Sequence, residues 1–265
     1  PGGMGKTLLA RHIGADATAQ GLFPDGVYFV ALAPLCDADV VLSTIASALP
    51  YTFASGPGLE QRMHEVLADK RGLLLLDNFE HIIDGAPIVS RLLAAAPGVK
   101  AIVTSRERLN LRQERVFDLH GLGVPDLTDD PLRTRSDAAE LFVRRAQQAC
   151  MGFTMTSQNA ADIARICRLV EGMPLALELA ASWTPLLSCA QIVSEIQTSL
   201  DFLTSPARDV PERHRSLRAV FASSWEQMQP DEQHALAHLA VFRGGFRLEA
   251  AQAVAQASPR MLLSL

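Results

Sequence analysis

No apolar run in this sequence approaches the ~18 residues that a membrane-spanning helix needs, so no such span is expected. The chain opens on Pro1-Gly2-Gly3 rather than on a charged stretch followed by an apolar one, so no secretory signal is expected there. Cysteines are few: Cys36, Cys150, Cys167 and Cys189 form no CxxC pair and lie beside no histidine at zinc-ligand spacing. That excludes a disulfide framework or a structural zinc site, and leaves buried free thiols in a reducing cytosol as the expectation. An excess of positive charge is also missing. The 24 Lys and Arg face 29 Asp and Glu, a formal net charge of −5, so the chain as a whole does not suit nucleic acid or an anionic membrane. Internal repeats and low-complexity tracts are absent. What remains is ordinary globular composition, 48% hydrophobic and 20% charged over 265 residues, enough for one large or two to three small domains.

Periodicity organises that material. The run VYFVALA at 27–33 is rich in β-branched and aromatic residues and predicts a buried strand. LLLLD at 73–77 is short, apolar and ends in an acid, which favours a buried parallel strand over a helix. VKAIVT at 99–104 predicts another, and 116–119 a last short one. Helical spacing covers 8–20, 40–49, 59–68 and 88–95, the last stopped by Pro97-Gly98. Strands alternating with helices imply a parallel sheet with helices on both faces.

After Pro125 the pattern changes. Residues 126–135 are polar and predict a linker. From the N-cap candidate Ser136 onward the chain reads as helical, with Leu141, Phe142, Ala146 and Ala149 on one apolar face and Ile163, Ile166, Cys167 and Val170 on another. Gly172 is placed to end one helix and Pro174 to open the next. A second polar stretch, 204–215, precedes helices expected at 216–228, 231–242 and 248–255. Domain boundaries are expected near 125–135 and 204–212.

The strongest local signal is Pro1-Gly2-Gly3-Met4-Gly5-Lys6-Thr7, which fits the phosphate-loop pattern GxxxxGK[ST] with the first Gly one position before Pro1. Glycines let successive backbone N–H groups curl around a phosphate, and the following helix points its N-terminus at the same anion. Lys6 would bring a cation to the β- and γ-phosphates, and the Thr7 hydroxyl is a hard donor suited to Mg²⁺. Gly2, Gly3, Met4, Gly5, Lys6, Thr7 and Leu8 are the expected nucleotide contacts. The chain is expected to be a piece of a longer protein, with the strand before the loop missing.

A phosphate loop needs a second, metal-side acid at the end of a neighbouring strand, and Asp77 after Leu73–Leu76 fits. The plainer reading of Asp77 alone is a turn acid capping a helix. Asn78 follows it, where many such proteins carry a second acid; Asn can orient water but cannot take its proton. Glu80 is the nearest alternative base, so slow hydrolysis at most is expected. Arg106, just past the 99–104 strand, is placed to sense a γ-phosphate through charge-assisted hydrogen bonds; the plainer reading is a surface Arg capping the next helix.

Taken together, GGMGKT, LLLLDNFEHI (73–82), IVTSRERL (102–109), DAAELFVRRA (137–146), EGMPLALELAAS (171–182) and RHRSLRAVFASSW (213–225) resemble the STAND or NB-ARC ATPases. Within that class the sequence is similar to bacterial ATP-binding regulators that carry LuxR-type or SARP-type DNA-binding domains. The resemblance implies an α/β P-loop NTPase domain with an AAA+-like parallel sheet (1–125), an α-helical domain (136–203) and a truncated winged-helix-like domain (208–265). It implies ATP or ADP with Mg²⁺ as ligands, with Thr7 and Asp77 on the metal side. Arg106 matches the sensor Arg of the TSR motif, and Pro174 the GLPL motif that packs near adenine or ribose.

Three functions compete. The resemblance favours a cytoplasmic nucleotide-gated switch that exchanges ADP for ATP, opens and self-associates under an unknown activating ligand. A turnover ATPase or kinase is the alternative. A DNA-binding module is the second alternative, but residues 201–265 hold seven Asp or Glu and seven Arg with no Lys, a net of 7 − 7 = 0, where DNA readers carry a basic excess. DNA contact is therefore expected only through domains outside this sequence.

Overall fold

The leucines of 73–77 are the organising element. In a computed structural model of the protein, the described residues are 2–33, 35, 37–53, 58–125, 136–205, 215–226, 228–242 and 245–264. They divide into two compact units, Gly5–Leu119 and a second formed by Pro1–Met4 with His120–Leu265. The expected linker 126–135, most of the polar stretch at 204–215, and Cys36 lie outside the described residues.

In the Gly5–Leu119 unit the elements run α1 (Lys6–Ala19), β1 (Val27–Ala31), α2 (Val41–Ala48), α3 (Leu59–Leu67), β2 (Leu73–Asp77), α4 (Ala86–Ala95) and β3 (Lys100–Val103). The three strands are parallel in the order β1-β2-β3, with Leu76 opposite Val30 on one side and Val103 on the other. Central β2 is buried along its whole length. Alternating side chains point to opposite faces of a strand. Leu74 and Leu76 accordingly join Val41, Ile45, Met63, Leu67, Val89 and Leu92 beneath α2, α3 and α4, while Leu73 and Leu75 meet Ala17 of α1. Helices therefore cover both faces, as the strand–helix alternation predicted. The same alternation turns Asp77 toward the α1 side. Gly14 sets how closely α1 lies on β2, because a Cβ there would come within 2.6 Å of Leu75 Cδ1.

Two sequence expectations need correction here. Residues 116–119 form no strand: Val116 is 47% and Phe117 80% exposed, and a strand there would have had to bury one face. The chain also winds into a 3₁₀ segment at Phe79–Gly85 that periodicity did not show.

The other unit is helical over its described residues: α5 (Asp137–Ala149), α6 (Ala160–Leu169), α7 (Pro174–Ala181), α8 (Cys189–Thr198), α9 (Leu217–Trp225), α10 (Pro230–Leu239), α11 (Leu248–Ala255) and α12 (Pro259–Ser264). Capping fixes the starts. Ser136 accepts from Ala139 N at 3.2 Å, and Ser188 with Gln191 completes a capping box. Pro174 takes the first turn of α7, where its missing N–H costs nothing. Fully buried Phe142, Ile163, Ile166, Leu177 and Ile192 form the core of α5–α8. Trp183 is half-buried at its margin and stacks on Phe202 with centroids 4.7 Å apart. Between α10, α11 and α12 lies a smaller cluster of Ala235, Leu239, Ala251, Ala255 and Ala257. The residues described in 215–264 hold helices and one antiparallel bridge, Thr204 with Ser216. Among the described residues no helix is long and apolar enough to cross a membrane.

Two of the cysteines follow the buried-thiol expectation: Cys167 and Cys189 are buried and Cys150 is partly exposed. Burial pushes the Cys167 thiol up to about 12 and the Cys189 thiol up to about 11. Since the thiolate is the nucleophile, a disulfide-exchange reagent at pH 8 is expected to label Cys150 in the native protein, and Cys167 and Cys189 only after unfolding. The raised values also favour the folded state while both thiols stay protonated. That contribution is complete below the ordinary thiol value of 9.0 and is lost as pH rises toward about 11 and 12.

Candidate functional site

The site grows from the C-terminal ends of β2 and β3, where an open α/β sheet presents its loops. Gly5 precedes α1 in the left-handed region, φ 81° and ψ 17°, and a Cβ on it would meet nothing within 4 Å. A glycine is needed for that backbone, and the space beside it is open to a ligand. No side chain caps α1. Its first N–H groups are thus the kind of donors that bind anions.

The first turn of α1 brings Thr7 to the acid at the end of β2. Thr7 Oγ1 donates to Asp77 Oδ1 at 2.7 Å. Asp77 is 6% exposed, and its Oδ1 also accepts from Thr104 Oγ1 at 2.6 Å. Thr104 is 7% exposed and in turn accepts from Asn78 N at 3.0 Å. The register explains this convergence: Leu76 pairs with Val103, so the next residues of the two strands meet side by side. Asn78 stands at φ 64° and ψ 51°, a left-handed turn that Asn tolerates better than most residues. The turn carries the chain into the 3₁₀ segment and places Glu80.

Glu80 faces Arg106. Arg106 Nε lies 3.2 Å from Glu80 Oε1, and the side chains are 14% and 2% exposed. Asn78 Nδ2 donates to the same Oε1 at 3.3 Å, while Oε2 is buried without a hydrogen-bond partner among the described residues. Burial pushes the Lys6 amine below its usual value; Glu80 and Asp77 pull it back up, Glu80 more strongly, and Arg106 pushes it down. Lys6, Asp77, Glu80 and Arg106 thus share one electrostatic neighbourhood.

The remaining expected contacts are Leu8, Gly2, Gly3 and Met4. Leu8 is 59% exposed on α1. Gly2 is buried, and Gly3 O accepts from Leu175 N at 3.2 Å, within the unit that holds Pro174 and α7. Met4 lies in the turn between Gly3 and Gly5. Thr104 is the residue that sequence reasoning missed, because a strand-end Thr reads as an ordinary β-former. Thr104→Val is expected to leave the Asn78 N–H unpaired and to cost about 1–3 kcal/mol in urea unfolding, with Thr104→Ser restoring most of it.

The donor set fits a nucleotide with a hard cation. Among the described residues no group of three or more His, Cys, Asp and Glu could hold a metal. A hydroxyl beside a single carboxylate is instead the sparse protein share that Mg²⁺ takes when phosphates supply the rest.

Residues 1–113 match the NB-ARC domain family. Over 258 residues, 97% of its length, the chain is 33% identical to proteins of Mycobacterium tuberculosis and Mycobacterium bovis named "Putative HTH-type transcriptional regulator", of which it covers 28%. It is 34% identical over 255 residues, 96% of its length, to a Mycobacterium tuberculosis protein named only as uncharacterized, of which it covers 62%. The chain thus spans about a quarter of the named regulators' length.

Proposed function

We propose that this chain, whose residues 1–113 match the NB-ARC domain family, is the ATP/ADP switch of a transcription-regulating or signalling protein. The observation that carries the reading is the hydrogen bond from Thr7 to Asp77 at 2.7 Å, which joins the start of the helix after the phosphate loop to a buried strand-end acid. A bound Mg²⁺–nucleotide would supply a polarised γ-phosphate. Lys6 and the α1 N-terminus bind phosphate, and Thr7 and Asp77 orient the metal side. Thr104 holds the Asp77 carboxylate in place. Arg106 senses the terminal phosphate, and Pro174, by its match to the GLPL motif, borders the base or ribose.

Slow turnover follows from the acid side. Asn78 cannot accept a proton, and Glu80, the nearest carboxylate after it, is 2% exposed and engaged by Arg106. In this reading residues 1–125, 136–203 and 208–265 are the nucleotide, helical and winged-helix-like domains. ADP holds them closed; ATP, with an activating ligand, opens them and permits self-association in the cytoplasm. DNA contact belongs to parts of the longer protein outside these residues. The relatives' regulator names and the lack of basic excess in 201–265 support that division.

Hydrolysis kinetics test the reading. A switch gives little beyond a single turnover during a long incubation with ATP. A linear multiple-turnover course near the ordinary enzymatic rate of roughly 10 s⁻¹ would replace it with the turnover-enzyme reading.

A further inference from the structure

Glu80 holds a position that a general base does not explain. Its side chain is 2% exposed, its Oε1 is shared by Arg106 Nε at 3.2 Å and Asn78 Nδ2 at 3.3 Å, and its Oε2 is buried with no hydrogen-bond partner among the described residues. A base must reach the water whose proton it takes. An ionised carboxylate in such surroundings persists only where cations compensate its lost hydration. Arg106 does so by direct contact, and the Lys6 amine feels Glu80 more strongly than it feels Asp77. Glu80 is therefore an internal anion set among the same two cations that a terminal phosphate would address.

We propose that Glu80 is a selectivity residue that biases this site toward a nucleoside diphosphate by occupying Arg106 while no γ-phosphate is present. The inference rests on the nucleotide reading given above. A diphosphate leaves the Glu80–Arg106 pair intact. A triphosphate must share Arg106 or draw it away, which leaves a buried carboxylate held only by the Asn78 amide at Oε1 and brings a second anion beside it. The cost falls on the triphosphate alone. Asn78 has a part in this arrangement: its left-handed turn aims Glu80, and its amide steadies Oε1.

The experiment compares dissociation constants of ATP and ADP, each with Mg²⁺, for the wild-type chain, Glu80→Gln, Arg106→Gln and the double variant. Glu80→Gln is expected to shift the ADP-to-ATP preference toward ATP by at least about tenfold, which is about 1.4 kcal/mol. In the Arg106→Gln background the same substitution is expected to shift it by less than about threefold, because the two residues act as a pair. Glu80→Asp, which keeps the charge and shortens the reach, is expected to move the preference the same way by less, and serves as the test if the Gln variant does not fold. An unchanged preference in folded, nucleotide-binding Glu80 variants overturns the inference, and so does a full shift that survives the loss of Arg106. A base would behave differently, losing hydrolysis with the preference unmoved. Wild-type protein that binds neither nucleotide overturns the nucleotide reading itself and this inference with it.

Discussion

Lys6→Ala is expected to weaken ATP and ADP binding by at least about a hundredfold, or about 2.8 kcal/mol, while the fold survives. Lys6 sits at the start of α1 in a site where burial already pushes its amine down and two carboxylates partly restore it. Phosphate oxygens would complete the compensation, and a charge-assisted contact of this kind contributes on the order of 1.5–3 kcal/mol. Removing a partly desolvated cation relieves its own burial but takes away a charge that compensates Glu80, so the two effects offset and thermal unfolding of the nucleotide-free variant should move little. Isothermal titration and a melting curve on the same sample separate the two effects. Unchanged affinity in the variant would place the phosphate elsewhere.

Replacing Asp77 has two consequences that its two obvious substitutions separate. Oδ1 accepts from Thr7 and Thr104, and Asp77 itself is almost wholly buried. Asp77→Ala leaves two hydroxyls short of an acceptor and a void at the end of β2. A loss of about 2–4 kcal/mol in urea unfolding is expected from the unpaired buried donors together. Asp77→Asn keeps an acceptor oxygen and should cost much less stability. It removes the negative charge, and with it the dependence of ATP affinity on Mg²⁺: the affinity measured with Mg²⁺ should fall to the value measured in chelator. If Asp77→Asn keeps the full Mg²⁺ effect, the metal side lies elsewhere.

The parts of this structure that were legible in the sequence share a cause. A run of four leucines ending in an acid suits a central strand buried on both faces with Asp77 at its C-terminal end. Ser136 and Pro174 announce helix starts because their chemistry suits those positions and few others. What stayed hidden depends on register or on backbone shape. Thr104 reaches Asp77 only because Val103 lies opposite Leu76, a pairing no local pattern encodes. Asn78 reads in sequence as a missing acid, whereas its φ of 64° shows a turn that suits an Asn. Glu80 reads as a spare base because the 3₁₀ segment that buries its carboxylate against Arg106 lacks a periodic signature. The strand expected at 116–119 failed in the opposite way: its residues have the propensity, but Val116 and Phe117 face solvent and no strand among the described residues pairs with them.

The central claim is that the chain is a nucleotide-holding switch, and its most direct test is the identity of the nucleotide it carries. The protein is purified under native conditions without added nucleotide and denatured, and the supernatant is resolved by chromatography. Close to one ADP per chain is expected, and none in Lys6→Ala. Wild-type protein that emerges empty, yet hydrolyses added ATP steadily, would contradict it.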